Sequence, residues 1–442
     1  SPVWFNVGIR EKPQCSACQP YRALVSTPSG FYPIGEIVNK KLIGLPVFDS
    51  RGITEVVAVK NNGVKTVYKV ILRHGGFIEV TGDHLVKAVY RRRMRSEWMR
   101  ADKLEQGMRL QLHPHRGISG KSIFGEILFN QMGQFRVANS GSSTQIVTQA
   151  IPTIKILASS QKETAEAALA GWLQADGFVG QYQEGTNKSL TIEFLAVTKE
   201  EQGWIETHLN ILFPSVHRKV RVTTTAQGTP ITRIRLYGDV LRSFVEKYQL
   251  LNRREKIRVP DVLWRGSPAT IAAYLKSVFQ GEGFVTIRGK SVKVAVATIS
   301  KDWMGDLQLL LCSLGIYSRI NHKRDNRTDR QDTYELGLNV GSERRRFAEL
   351  VGFISSTKQK KLLDSLLITD QKQIPDLREE EIIGIEKLGE EVVYDIQTSS
   401  GEYLTNNIAV HNCFILTVDD NMESIMDWIH TEAMIFKGGS GA

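Results

Sequence analysis

VYDIQTSSGEYLTNNIAVHNC, residues 393–413, is the stretch on which the reading of this chain turns. Its apolar and polar residues alternate, and Ser-Ser-Gly and Asn-Asn interrupt them, which is the pattern of short strands joined by tight turns. The same texture occurs far upstream, in ALVST (23–27), TEVVAVKNNGVKTVYKVILRHGGFIEVT (54–81) and DHLVKAVYRR (83–92). There Asn-Asn-Gly and His-Gly-Gly read as hairpin turns of an all-β unit. Two β-rich ends around a different middle imply one β domain interrupted by an insertion.

The middle, residues 151–378, carries an internal repeat. One copy runs LAGWLQADGFVG, SLTIEFLAVT, EEQGWIETHLNIL, HRKVRVTTT, ITRIRLYG and DVLRSFVEKYQLL. The other runs AYLKSVFQGEGFVTI, VKVAVATIS, KDWMGDLQLLLCSLGI, SRINHKR, TYELGLNVG and SERRRFAELVGF, about 106 residues later. Each reads helix, strand pair, helix, strand pair, helix, so the insertion is expected to be α/β with a pseudo-twofold axis. Residues 116–150 read as a linker or small extra element.

With 442 residues, 41% of them hydrophobic, the chain is long enough for two or three domains. The N-terminus lacks the basic and apolar regions of a secretion signal, and no apolar run is long enough to span a bilayer. A cytoplasmic protein with no membrane partner is expected. Cys15, Cys18, Cys312 and Cys413 are too few and too unevenly spaced for a disulfide framework or a zinc module, so they should be thiols. The formal charge of +10 is concentrated in the middle segment, which points to a polyanion such as nucleic acid.

Over 18–115 and 379–412 the chain resembles an intein, a protein-splicing element of the Hedgehog/intein (HINT) fold. CQPYRALV (18–25) looks like the first splicing block, GFIEVTGDHLV (76–86) like the block holding Thr-x-x-His, and residues 393–413 like the last two. The resemblance implies that Cys18 attacks the carbonyl of Ala17 to form a thioester. His84 would assist the departing nitrogen and Thr81 would hold the oxyanion. Cys413 would then take over the acyl group, and Asn412 would cyclise with help from His411, releasing residues 18–412 and joining Ala17 to Cys413 without a cofactor. Asp395 matches the Asp used beside the nucleophiles. Many inteins carry another His before the terminal His-Asn, but Gly401 or Glu402 stands there in this chain.

LAGWLQADG (169–177) and YLKSVFQGEG (274–283) resemble the two motif copies of a LAGLIDADG homing endonuclease, over 151–378. The resemblance implies paired helices that bring Asp176 and Glu282 together at a Mg²⁺ site for cleavage of double-stranded DNA. Glu282 departs from the usual Asp. Lys219 and Lys323, at similar places in the two repeats, could be basic helpers or phosphate contacts. Alternating cations would present Arg218, Arg221, Arg233, Arg235, Arg288, Lys293, Arg319 and Arg324 to a major groove. An alternative is an insert that only binds DNA or is structural.

The flanks, 1–17 and 413–442, resemble a piece of an adenosylcobalamin-dependent ribonucleotide reductase, too short for reductase activity. The host segments are therefore expected partners in cis. Cys15-Ser-Ala-Cys18 spans the upstream junction; it is either an accident of the insertion site or a pair whose disulfide would stall splicing. A conventional nucleic-acid enzyme with accessory β domains is the third reading.

Overall fold

The computed structural model describes residues 18–89, 96–113, 161–181, 190–225, 228–289, 291–324, 331–368 and 378–412, with a few helical residues between 422 and 430. The expectations for 116–150, the upstream flank, Cys15, Ala17 and Cys413 fall outside them.

The N-terminal β part comprises β1 (Gln19–Pro20), β2 (Leu24–Thr27), β3 (Gly30–Pro33), α1 (Ile34–Asn39), β4 (Pro46–Phe48), β5 (Ile53–Leu72), β6 (Phe77–Thr81), β7 (Leu85–Val89), β8 (Ser96–Arg100) and β9 (Arg109–Leu112). The insertion then begins. Its first repeat contains α2 (Gln161–Asp176), β10 (Gly177–Gln181), β11 (Leu190–Ala196), α3 (Lys199–Leu212), β12 (Arg218–Thr224), β13 (Pro230–Tyr237) and α4 (Arg242–Lys247). The second contains α5 (Pro268–Glu282), β14 (Gly283–Arg288), β15 (Ser291–Thr298), α6 (Lys301–Ser313), β16 (Arg319–Lys323), β17 (Thr333–Leu338) and α7 (Gly341–Leu350), followed by α8 (Ser356–Leu366). The chain closes with β18 (Arg378–Thr398), β19 (Glu402–Thr405) and β20 (Ile408–His411).

The two β-rich ends form one sheet system, ordered β3-β2-β19-β20-β7-β9-β18-β5-β4. Strand β18 pairs antiparallel with β1, β5 and β9, so the C-terminal segment holds three N-terminal strands together. Arg378 pairs with Leu112, which sets the two ends of the insertion side by side.

The Asn-Asn-Gly signal does not make a hairpin turn. β5 runs unbroken through Asn61, Asn62 and Gly63, and the register against β18 shifts between Val392 and Tyr394. The turn chemistry is absorbed as a β-bulge, because the long strand β18 lies alongside to keep the ladder going. His-Gly-Gly does turn the chain: the Gly75 amide bonds the Leu72 carbonyl between β5 and β6.

In the insertion the two repeats give sheets of identical order, β10-β11-β13-β12 and β14-β15-β17-β16. Their helices share one continuous apolar core. α2 is buried nearly all round, with Ala165 through Gln174 covered, as expected of a helix packed on both sides. It crosses α5 at close range. A Cβ on Gly171 would stand 2.5 Å from the Tyr274 carbonyl oxygen, and one on Gly281 would stand 2.9 Å from Ala175 Cβ. Helix starts are fixed by side-chain caps. Thr198 and Glu201 form a capping box on α3, and Ser267 with Pro268 starts α5.

The insertion is seated on the β domain. Arg265 pairs with Glu36 and lies 4.3 Å over the Tyr32 ring, and Trp264 meets Phe31 edge to face. At the other contact the His74 carbonyl accepts from Ile320 N (2.8 Å) and Gln308 Nε2 (2.9 Å), while its ring stacks on Tyr317. Asn407 Nδ2 donates to Cys312 Sγ at 2.8 Å.

Burial, followed by the nearby Arg319 and Arg378 charges, pulls His74 down to about 3, and burial does the same to His84. Below about pH 6.5 the unfolded chain takes up protons that these folded sites refuse, so stability falls as pH drops from about 6.5 toward 3. Urea unfolding at pH 7.5 and pH 5 should show this loss, and His74→Gln should make it smaller. An unchanged midpoint between the two pH values would contradict the assignment.

Candidate active sites

The first centre lies where β1, β6, β5 and β20 converge. Cys18 is fully buried just ahead of β1, and its carbonyl accepts from Thr81 N at 2.9 Å. The Cys18 amide, the nitrogen that would depart, donates to Thr81 Oγ1 at 3.3 Å. Thr81 therefore holds that nitrogen, while the Ala17 carbonyl on which its expected oxyanion role would act lies outside the described residues. His84, held by its own N–H on the Thr81 carbonyl, places Nδ1 3.2 Å from the Cys18 carbonyl oxygen. Because burial keeps the imidazole neutral, Nδ1 must carry the proton it donates to that oxygen.

Two partners of the Cys18 sulfur were not signalled by any motif. Asn62 Nδ2 donates to Sγ at 3.0 Å and Lys65 Nζ at 3.7 Å, both from β5. Asn62 reaches it from the bulge. Burial and the negative field of Asp395 push the thiol up to about 12, and Lys65 and Asn62 oppose them. Asp395 is itself buried in β18, opposite Lys60.

At the other end of the element, His411 Nδ1 lies 2.6 Å from the Asn412 carbonyl oxygen, and its ring meets Trp98 of β8 edge to face. Asn412 is buried; its N–H donates to the Gly401 carbonyl at 3.1 Å, and Thr398 Oγ1 donates to its Oδ1 at 3.1 Å. Val410 of β20 pairs with Val86 of β7, which sets the strand ahead of Asn412 beside the strand that follows His84.

The second centre is the crossing of α2 and α5, where each helix ends on its acid. Loss of solvation raises both carboxyl groups above the ordinary carboxylate range; the next cause is Glu201 for Asp176, and Asp176 itself for Glu282. The cation acting on both is Lys358, at the start of α8, whose Nζ donates to the carbonyls of Gln280 (2.5 Å) and Gly283 (2.8 Å). Sequence spacing had suggested Lys219 and Lys323. Lys219 is exposed on β12, and Lys323, with Lys293, is paired to buried Glu335. Among the described residues neither Lys219 nor Lys323 has a hydrogen bond or ion pair to Asp176 or Glu282. Arg253, which donates to the Leu173 carbonyl at 2.8 Å, approaches α2 much as Lys358 approaches α5.

Of the expected DNA-facing cations, Arg233 and Arg235 share buried Glu193. Arg218 donates to the Phe213 carbonyl, while Arg221, Arg288 and Arg324 are exposed and Arg319 is half-buried. Each sheet thus uses one buried glutamate to hold two cations. No group of three or more His, Cys, Asp or Glu side chains forms a metal cluster among the described residues.

Residues 269–352 match the family model described as a LAGLIDADG-like domain. The chain is 27% identical over 219 residues to a ribonucleoside-diphosphate reductase NrdEB subunit alpha of Bacillus subtilis (strain 168), covering 45% of this chain and 20% of that protein. It is 73% identical over 33 residues to a vitamin B12-dependent ribonucleotide reductase of Streptomyces clavuligerus, covering 8% of this chain and 3% of the relative. The chain spans one fifth or less of the length of the first curated relatives it matches. Among solved structures, I-DmoI in complex with DNA and Mn has a TM-score of 0.32 at 14% identity, covering 43% of this chain and 97% of that one. A G-1F mutant of the Ssp DnaB mini-intein variant M86 has a TM-score of 0.28 at 9% identity, covering 90% and 99%. The split β domain, the LAGLIDADG-like match inside its insertion and the short stretch similar to a ribonucleotide reductase agree with the resemblance to an intein that carries a LAGLIDADG-type domain.

Proposed function

We propose that the chain excises residues 18–412 and joins Ala17 to Cys413. The observation that supports this reading is that both ends, Cys18 and Asn412, are buried in the same β domain, Cys18 bonded to Thr81 and His84 and Asn412 to His411, with Val410 and Val86 pairing the strands beside them. In the first step the Cys18 sulfur bonds to the Ala17 carbonyl carbon and the Ala17–Cys18 C–N bond breaks. The thiol proton is lost and the freed amine gains one. Thr81 and His84 hold the two sides of the Cys18 backbone unit during this change. Cys413 then displaces Cys18 from the acyl carbon. Cyclisation of Asn412 cuts the Asn412–Cys413 bond, and an S-to-N shift leaves a peptide bond.

The sulfur must ionise against burial and the Asp395 charge, and Lys65 is the cation that favours the thiolate. Removing it should push the thiol up further and slow the step about tenfold at neutral pH.

We further propose that the insertion is a double-stranded DNA endonuclease of the intein-free host gene. Two raised, mutually repelling carboxylates form a hard-oxygen site that suits a divalent cation, and Asp176 and Glu282 would hold Mg²⁺. The ion, when bound, would activate water and stabilise the leaving oxygen of a phosphodiester. Burial lowers Lys358 while Glu201, Asp176 and Glu282 oppose that, and its amine stands beside the pair, where it can donate to a phosphate oxygen. The arginines of β12 to β14 and β16 would position the backbone.

Three measurements test these readings. Mass spectrometry of the reduced chain should find the excised 18–412 species and the ligated flanks, and Cys18→Ala with Asn412→Ala should abolish both. If wild type persists as the intact chain, splicing is not its function. In an Asn412→Ala, Cys413→Ala background, thiol-induced cleavage at Ala17–Cys18 should shift to higher pH on Lys65→Met; coincident pH profiles would remove Lys65 from the step. Magnesium-dependent cutting of the intein-free host gene should vanish in Asp176→Asn and fall at least tenfold in Lys358→Met, about the worth of one charge-assisted contact. Binding without cutting by wild type would leave only a DNA-binding insert.

A further inference from the structure

Asn412 must aim its carboxamide nitrogen at its own backbone carbonyl, yet the position where related elements carry a histidine is occupied by Gly401 and Glu402. Glu402 spends its carboxylate elsewhere, accepting from Ser50 Oγ and lying 3.5 Å from Arg51 Nε. Gly401 offers only its backbone carbonyl, which takes the Asn412 N–H at 3.1 Å.

Among the described residues, Thr398 at the end of β18 has a side chain that touches the Asn412 carboxamide. Its Oγ1 stands 3.1 Å from Asn412 Oδ1 and 2.9 Å from the Glu402 carbonyl, and both Thr398 and Asn412 are buried. A hydroxyl has one proton, so it can rest on the Glu402 carbonyl and swing to Oδ1. We propose that Thr398 is a catalytic residue of the cyclisation, supplying from the strand the contact to Asn412 that Gly401 and Glu402 do not. This rests on the splicing reading given above.

A hydrogen bond to Oδ1 draws electron density out of the carboxamide. That acidifies the Nδ2–H and stabilises the negative charge that gathers on Oδ1 as Nδ2 becomes a nucleophile. It also restricts rotation of the carboxamide and so fixes Nδ2 as the end that attacks. On the electrophile, His411 Nδ1 at 2.6 Å polarises the Asn412 carbonyl. The Nδ2–carbon bond then forms and the bond from that carbon to the Cys413 nitrogen breaks. One proton leaves Nδ2 and one is taken up by the Cys413 amine, so the exchange balances and the Thr398 hydroxyl emerges unchanged.

The test uses the full chain with Cys18→Ala, which leaves only cleavage at Asn412–Cys413, followed by mass spectrometry of released 413–442. Thr398→Val, close in shape but without a donor, should slow that release about tenfold, the worth of one hydrogen bond. Thr398→Ser should restore most of the rate. In a separate Asn412→Ala background, thiol cleavage at Ala17–Cys18 should be unaffected by Thr398→Val. Equal release with Thr398→Val, equal slowing by Thr398→Ser and Thr398→Val, or parallel loss at both junctions would overturn the proposal. If the Cys18→Ala parent releases nothing and the Asn412→Ala parent forms no thiol-sensitive bond, the splicing reading fails and this inference goes with it.

Discussion

The pairing of β5 with β18 is the constraint on which the rest depends. These strands are separated in sequence by the whole insertion, yet they form a ladder along nearly their full length, and β18 also captures β1 and β9. Closing a loop of that length as flexible chain would cost a few kcal/mol, growing only with the logarithm of its length. The insertion avoids most of that by folding around its own core, with its ends returned to the Arg378–Leu112 pair. Once β18 is in place, Asp395 is buried near Cys18, and Thr398 lies against Asn412. The same strand therefore completes the fold and equips the site.

The bulge in β5 shows how closely fold and chemistry are linked. A regular strand would alternate its side chains without interruption. The extra residue at Asn62–Gly63 breaks the alternation and lets Asn62 and Lys65 both reach the Cys18 sulfur. Electrostatic influences there are opposed: burial and Asp395 keep the thiol protonated, while Lys65 and Asn62 favour ionisation.

Much of this was legible in the sequence, for physical reasons. Helices and strands of the insertion repeat in order because each half must bury the same kind of face. Cys18, Thr81, His84, His411 and Asn412 are singled out through the resemblance of short local blocks to an intein, and the fold places each of them in or beside the β domain. What local pattern does not encode is a contact between distant segments. Asn-Asn-Gly has turn chemistry, and only the presence of β18 makes it a bulge. Lys358 and Thr398 sit in ordinary contexts, one at a helix start and one in a strand, and acquire meaning from carbonyls and carboxamides brought to them by the fold. The basic strands read correctly as charged, but the sequence did not reveal that Glu193 and Glu335 each hold two of those cations.

The side-by-side ends of the insertion have a further consequence. Because Leu112 and Arg378 are already neighbours in a ladder, everything between them is, to the β domain, the loop of a hairpin, and the sheet is indifferent to what that loop contains. The seat is less indifferent: Tyr32, Glu36, His74 and Asn407 each touch the insertion, so a bare turn would leave an aromatic and polar scar on the sheet that water would have to cover. The nuclease-like body is thus a tenant free to leave by its connections and retained by the floor it stands on.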